Sequence, residues 1–411
     1  MDFYSVWPFF LGVALLLGLA RLPFFADREV ASAPPVSGRA RILPLDGLRG
    51  FLAIGVFFHH AAIYHAMVRD GIWQKPPSQF YALAGETGVA MFFMVTGYLF
   101  WSRLINEKGR PAWLRLYVGR VFRIGPLYLA AVSVMLAYVF VATGARLNVE
   151  PSRLGVEIIR WLLLGGLEGR DVNAYAGTTL LLAGVTWTLW YEWLFYLCMP
   201  VLAIAARSGR THLPFALAGL IGCLLFGLSG VVSPPEPARA VWCAALFFVG
   251  MTCGSLEISG FAARLPDRVA SSLTLGLLAV VLFLRPSANS AGSIIMLGAA
   301  FYLIMSGCTL FGLLVCTPAR RLGDMSYGIY LLHGLVLAAV FRLPFLQTPL
   351  TTSPALHWTL VMVCGALTVV VASLAHRMIE RPGIGWGRWT ADLLMSRLPQ
   401  REASEVRSRP A

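Results

Sequence analysis

The stretch Leu45–Met67 reads LDGLRGFLAIGVFFHHAAIYHAM. It is nearly continuous apolar sequence, long enough to cross a bilayer as one helix. Yet it carries Asp46, Arg49, His59, His60 and His65. Ionisable side chains inside a membrane span are costly, and helical bundles keep them for an internal substrate, ion or proton path. Arg49 and His60 stand eleven positions apart. At ~100° per residue that is about three turns plus ~20°, so both project from one helix face. At ~1.5 Å rise per residue the imidazole lies roughly 16 Å beyond the guanidinium. With Arg49 at one membrane surface, His60 falls near the middle of a ~30 Å hydrocarbon core. A cation at the entrance and a titratable base at mid-depth predict a transmembrane reaction site. The competing reading is an interhelical hydrogen-bonded histidine and a snorkelling arginine. The shared face and the partners below weigh against it.

The rest of the chain fits a polytopic, all-α transmembrane bundle. Of 411 residues 58% are hydrophobic and 13% charged, and they fall in long uncharged runs, which excludes an ordinary soluble domain. The net charge of +13 needs no nucleic-acid partner, because Lys and Arg concentrate in cytoplasmic loops of membrane proteins. The seven cysteines lie in or at the ends of apolar segments. They read as buried free thiols, with no metal-ligand spacing and no metal site expected.

The first apolar run, Val6–Phe25, resembles a signal peptide, with Ala31-Ser32-Ala33 as its cleavage site. However, the segment before it holds Asp2 and no Lys or Arg, which is the wrong amino-terminal region for one. Arg21, Arg28, Arg39 and Arg41 follow it instead, predicting an uncleaved helix with its amino terminus outside. A linker around Ala33-Pro34-Pro35 leads into the key helix from the cytoplasmic side. Further spans are predicted at 86–105, 124–143, 184–206, 213–232, 239–257, 269–285, 292–314, 325–343 and 357–378, giving eleven in all. The short apolar segment 153–168 carries Arg153, Glu157 and Arg160 at helical spacing and reads as an interfacial or re-entrant piece on the outer side. Under this assignment most of the 33 basic residues face the cytoplasm, as does the carboxy terminus. The organisation is an amino-terminal transmembrane helix (1–30), a membrane core (42–385) and a basic, disordered cytoplasmic tail (386–411).

Other residues able to carry chemistry are few. Arg120 and Arg123, in YVGRVFRIGPLYL, share a face at a helix entry. Such a pair suits a multiply charged phosphate ligand, because guanidinium forks bind phosphate oxygens bidentately; positive-inside anchoring is the alternative. Glu192, in VTWTLWYEWLFYLCMP, is a carboxylate within an aromatic span and must be protonated or paired. His333, in RRLGDMSYGIYLLHGLV, reads most simply as a satisfied core histidine. Nearby Asp324, Ser326 and Tyr327 can cap the helix start, and Tyr327 can line a cavity. His59 and His65 match the Arg49 face less well and are possible hydrogen-bond partners. Glu380-Arg381 reads as an interfacial ion pair. Glu86, opening GETGVAMFFMVTGYLF, is placed to face an acceptor, although helix-start electrostatics also accounts for it.

Taken together, LDGLRG with its Arg49–His60 spacing, GVAMFFMVTGYL, GRVFRIGPLYL, WTLWYEWLFYLCMP, GDMSYGIYLLHG and MIERP resemble the acyltransferase-3 family. These are bacterial integral-membrane acyltransferases that O-acetylate cell-surface glycans. The pieces occur in family order over about residues 42 to 385. The resemblance implies a ten-span core, extended here by an amino-terminal span. It also implies His60 as the essential histidine, with Arg49, Arg120 and Arg123 near the coenzyme A donor. Thr96 stands where the family usually has serine, keeping the hydroxyl. Some relatives carry an added extracellular hydrolase-like domain for the acceptor. None follows the last span here, so that step is expected in the membrane core or on a partner, such as another glycan-assembly protein.

The resulting expectation is a multi-pass O-acyltransferase of the bacterial inner membrane. It moves an acyl group, most simply acetyl, from cytoplasmic acetyl-CoA or another acyl-CoA to a hydroxyl of a surface or lipid-linked glycan, with no permanently bound cofactor. His60 serves as general base or as nucleophile forming an acyl-imidazole, and the sequence leaves both open. Glu192 or His333 orients His60 or relays its proton. A transporter or flippase for a polar or glycan-lipid solute would use the same buried charges, but no inverted pair of broken half-helices supports it. A non-catalytic scaffold of a glycan-export complex leaves the titratable spacing without a purpose.

Overall fold

The computed structural model describes residues 2–26, 43–167, 170–231 and 236–397. The expected linker around Ala33-Pro34-Pro35 and the last fourteen residues of the tail lie outside the described residues. In chain order the helices are α1 (Trp7–Arg21), α2 (Leu43–Asp70), α3 (Gln79–Asn106), α4 (Trp113–Ala142), α5 (Pro151–Leu162), α6 (Trp187–Ala205), α7 (His212–Leu228) and α8 (Glu236–Ile258). They continue with α9 (Asp267–Leu284), α10 (Ala291–Met305), α11 (Thr317–Asp324), α12 (Ser326–Phe341), α13 (Pro344–Thr352), α14 (Pro354–Ala375) and α15 (Arg381–Ser396). Among the described residues there is no strand, only an isolated bridge between Val172 and Tyr175. Seven helical stretches are long and apolar enough to cross a membrane, eight with the α11–α12 pair, and α1, α7 and α10 are shorter apolar helices. Each of the eleven expected spans falls on one of these.

Glycines decide how closely the bundle closes around α2. A Cβ on Gly47 would run into the Leu314 backbone, and one on Gly323 into the Asp46 carbonyl. One on Gly50 would lie 2.7 Å from the Ala319 carbonyl. The LDGLRG segment is therefore the surface on which α11 lies, backbone against backbone. The chain turns by 70° between α11 and α12, and α12 then climbs beside α2 in the same direction. A second close seam joins α3 and α8. Gly250 and Gly254, four apart, meet Met94, Tyr98 and Ser102, while Gly97 meets Phe247, the small-residue contact that lets membrane helices approach. Trp101 donates its indole N–H to Ser255 Oγ across this seam at 2.8 Å.

Two expectations about segments are revised. The segment expected as a span at 292–314 ends its helix at Met305, and the chain then turns. Asp267 ties this turn down by accepting from the backbone N–H and hydroxyl of Thr309 at 2.7 and 2.9 Å. Residues 386–396, expected as the start of a disordered tail, belong to α15. That helix lies antiparallel along the first half of α4, with Gly383 and Gly387 against Phe122 and Pro126 and Arg115 paired to Asp392 at 2.6 Å. Its outer face presents Trp386 and Trp389, residue types that settle at membrane interfaces. The amphipathic α5 exposes Val156, Ile159 and Leu162, in keeping with an interfacial helix. The chain after it folds back into the bundle, burying Thr178, Leu181, Leu182 and Ala183. The backbone of Leu182 and Ala183 packs directly on Gly334 of α12.

Candidate active site

Two levels of the bundle collect the polar residues singled out above. The first is the Arg49 end. Arg49 from α2, Arg120 and Arg123 from α4, and Glu192 and Tyr196 from α6 converge there. Arg120 lies among Tyr196, Glu192 and Arg123, with its guanidinium 5.2 Å over the Phe100 ring, a favourable cation–π placement. Arg123 lies among Arg49, Glu380, Tyr196 and Tyr327. Glu192 accepts from Tyr196 OH at 2.9 Å and from Thr96 Oγ1 at 3.4 Å, with Arg120 and Arg49 among the charges around it. Arg49, Arg120, Arg123 and Glu192 are all half-buried, so each keeps accessible surface. Arginines cannot shed their charge, and three of them beside two carboxylates, Glu192 and Glu380, leave a net positive site suited to an anion.

The second level is set by His60. Its Nδ1 lies 3.0 Å from the Val56 carbonyl oxygen and 3.0 Å from Nε2 of His333. His333 Nδ1 in turn lies 3.0 Å from the Ile329 carbonyl oxygen. The two imidazoles come from α2 and α12, elements 273 residues apart in the chain. His333 is fully buried and His60 half-buried. Trp73, from the connection after α2, stacks beside His60, its ring 6.2 Å away and nearly parallel at 22°. Tyr64, one turn beyond His60, donates to the Leu180 carbonyl and so ties the inserted segment to this level.

Between the levels α12 supplies a ladder at three-residue intervals, which places its members on adjoining positions of one face. Tyr327 OH donates to the Ile124 carbonyl at 2.9 Å. Tyr330 OH meets Thr188 Oγ1 at 3.0 Å and the Val185 carbonyl at 3.2 Å. His333 completes the row.

The structure thus joins His60 with His333, and Arg49 with Arg120, Arg123 and Glu192. It places Glu192 with the arginines, hydrogen-bonded to Thr96 and Tyr196 rather than to His60. Tyr327 bridges to α4 near Arg123. Glu86 is turned away from His60: it pairs with Lys75 and accepts from Ser287 Oγ at 2.8 Å and the Ala288 N–H at 2.9 Å. His59 points to the Tyr81 carbonyl at 2.9 Å and His65 to Tyr4 OH at 3.0 Å. Among the described residues no group of three or more His, Cys, Asp or Glu side chains could hold a metal ion. Glu380 departs from its expected interfacial role. It is fully buried in a one-turn π-helix, His376–Glu380, with Oε2 3.3 Å from His376 Nδ1 and Arg123 as a neighbour. Such π-turns recur at functional sites. The sequence signal was the only acidic residue of the last apolar run.

Residues 42–377 match the family model described as acyltransferase domain, Acyl_transf_3. "Nodulation protein 10" of Rhizobium leguminosarum bv. viciae is 26% identical over 363 residues, covering 82% of this chain and 92% of that protein. "Acyltransferase MdmB" of Streptomyces mycarofaciens is 24% identical over 369 residues, covering 83% and 91%. No solved structure matches. The chain belongs to the acyltransferase-3 family and is a membrane acyltransferase.

Proposed function

We propose that this protein is an O-acyltransferase of the bacterial inner membrane, moving an acetyl group from cytoplasmic acetyl-CoA to a hydroxyl of a cell-surface or lipid-linked glycan. One observation carries the reading: a net positive, partly open arginine cluster and a paired histidine lie on the same face of α2, roughly 16 Å apart by helix rise, with a tyrosine ladder between them. The donor's phosphates would bind Arg120, Arg123 and Arg49 through charge-assisted hydrogen bonds. Its thiol arm would run along Tyr327 and Tyr330 and bring the thioester to His60. The acceptor would arrive from the Trp73 side. The amino terminus then lies outside and the carboxy terminus in the cytoplasm, as the basic-residue distribution favours.

At the thioester, His60 would act as general base. As the sugar oxygen bonds to the carbonyl carbon, its proton passes to the imidazole. As the C–S bond breaks, the imidazolium returns that proton to the departing thiolate. An ester and a thiol result, with His60 unchanged.

The test is acyl transfer by the protein in nanodiscs, supplied with radiolabelled acetyl-CoA and glycan extracts, paired with mass spectrometry of surface glycans from cells with and without the protein. A glycan +acetyl mass shift that requires the protein is the expected result. Identical glycan spectra and no label transfer from any acyl-CoA would overturn the proposal.

A further inference from the structure

We propose that His333 is a positioning residue: it fixes His60 in the tautomer with its proton on Nδ1, leaving the Nε2 lone pair free for the reaction. The inference rests on the reading of His60 as the base, and it names the atom that does the work and the group that keeps it available.

The assignment follows from which partners can donate. A carbonyl oxygen only accepts, so a ring nitrogen at hydrogen-bond distance from one must be N–H. His333 Nδ1 sits 3.0 Å from the Ile329 carbonyl oxygen and is therefore the N–H of that ring. A neutral imidazole has a single N–H, so His333 Nε2 carries a lone pair. That lone pair faces His60 Nδ1 at 3.0 Å. His60 Nδ1 also faces the Val56 carbonyl oxygen at 3.0 Å. Both of its partners accept, so Nδ1 must donate, sharing one proton between them. The bare nitrogen of His60 is then Nε2. The opposite tautomers would set lone pair against lone pair at both carbonyls.

The surroundings hold His333 in place. It is fully buried, edge-on to Phe57 at 6.5 Å and beside Tyr330 at 6.3 Å. The next residue, Gly334, meets the inserted Leu182–Ala183 backbone so closely that a side chain there would collide with it. The α12 backbone is thereby wedged between α2 and the inserted segment, which sets the height of His333 against His60. When Nε2 of His60 takes up the acceptor's proton, the ring becomes cationic. Its Nδ1–H to His333 Nε2 then becomes a charge-assisted hydrogen bond, stronger than in the resting state. His333 does for His60 what a carboxylate does for the histidine of a hydrolase triad, without bringing a second charge into the membrane. His333 gains and loses no proton in the cycle.

The experiment is solid-state ¹⁵N NMR of histidine-labelled protein in nanodiscs, with the His60 signals assigned by difference from His60→Asn. It is combined with steady-state kinetics of His333→Leu and His333→Gln. Wild type should show His60 protonated on Nδ1 and bare on Nε2. His333→Leu removes one of the two acceptors and leaves Nδ1 only the Val56 carbonyl, which already accepts the i→i−4 backbone N–H of α2. kcat should fall at least tenfold with the KM for acetyl-CoA unchanged, and part of the His60 signal should shift to the Nε2-protonated tautomer. His333→Gln places an amide oxygen near the lost Nε2 and should recover most of the rate and the single tautomer. A wild-type His60 protonated on Nε2 would overturn the proposal. So would a leucine variant with wild-type kcat and spectrum, or a glutamine variant no better than leucine at equal amounts of folded protein. If the leucine variant does not insert, the wild-type spectrum and the glutamine variant still decide. Full activity of His60→Ala would instead remove the underlying reading of His60 as base, a result the tautomer spectrum does not depend on.

Discussion

The Arg49 end and the His60 level solve different problems with the same expensive materials. At the Arg49 end three permanent cations meet two carboxylates, Glu192 beside Arg120 and Arg49 and Glu380 beside Arg123. Their side chains stay half-buried except for Glu380. At the His60 level the polar groups include the imidazoles of His59, His60 and His333 and the hydroxyls of Tyr64, Thr188 and Tyr330, and each imidazole Nδ1 is matched to a backbone carbonyl. Fixed charge is kept where an anion must be held. Groups that can be neutral are placed where a proton must move. In a low-dielectric interior a fixed charge would cost several kcal/mol (order of magnitude), so the division lets one helix face serve both binding and chemistry.

The sharpest way to break this comparison is to damage each level alone. His60→Ala should abolish acyl transfer while leaving acyl-CoA affinity within about twofold, since no phosphate contact is lost. His60→Asn should not rescue it, because an amide cannot take up a proton. Transfer assays alongside acyl-CoA binding by calorimetry would check both. An active asparagine variant would mean that the His60 level does not move a proton.

The converse variant is Arg120→Ala with Arg123→Ala. Losing charge-assisted phosphate contacts costs about 1.5–3 kcal/mol, so the Kd for acyl-CoA should rise by roughly tenfold or more. kcat at saturating donor should fall much less. Unchanged affinity would move the donor site away from the Arg49 end. Glu192→Gln is smaller than either in expected size. Its amide oxygen keeps the hydrogen bond from Tyr196 OH while its NH2 donates to Thr96 Oγ1 instead of accepting from it, and the charge beside Arg120 and Arg49 is removed. It should alter the KM for acyl-CoA several-fold and leave the turnover number nearly constant. A fall in kcat with unchanged KM would return Glu192 to the His60 level, where sequence reasoning had placed it.

What was legible in the sequence divides along the same physical line. Arg49 and His60 lie on one helix, so a local 3.6-residue period was enough to place both on one face. The Arg120–Arg123 pair was legible for the same reason. His333 was legible only as a core histidine or, on equal terms with Glu192, as a partner that orients His60, because nothing local decides a contact 273 residues away; pairing α12 with α2 required the glycine contacts around Asp46 and Gly323. Glu380 was misplaced because the π-turn at His376–Glu380 shifts the helix phase, which a constant period cannot anticipate. The α15 helix was missed because its Gly, Trp and Arg content reads as polar tail. Only the α4 surface explains Gly383 and Gly387. Glu86 stayed open between an acceptor-facing place and helix-start electrostatics, because its partners on the α9–α10 turn are distant in sequence.

Glu86 supplies the mildest test, and one that bears on the other two regions by contrast. Its carboxylate pairs with Lys75, which is 68% exposed, and exposed ion pairs contribute about 0–1 kcal/mol. Its other oxygen accepts from Ser287 Oγ and the Ala288 N–H, anchoring the α9–α10 turn to α3. Glu86→Gln retains one amide oxygen for those two donors and loses the pairing with Lys75. The expected cost is about 1 kcal/mol or less of stability, seen as a small drop in the thermal midpoint of the detergent-solubilised protein. Acyl transfer and acyl-CoA affinity should match wild type, because the residue faces a turn and not the His60 imidazole. Should Glu86→Gln instead lower kcat as His60 variants do, the acceptor's path would run past α3, and the Trp73 side would no longer be its entrance.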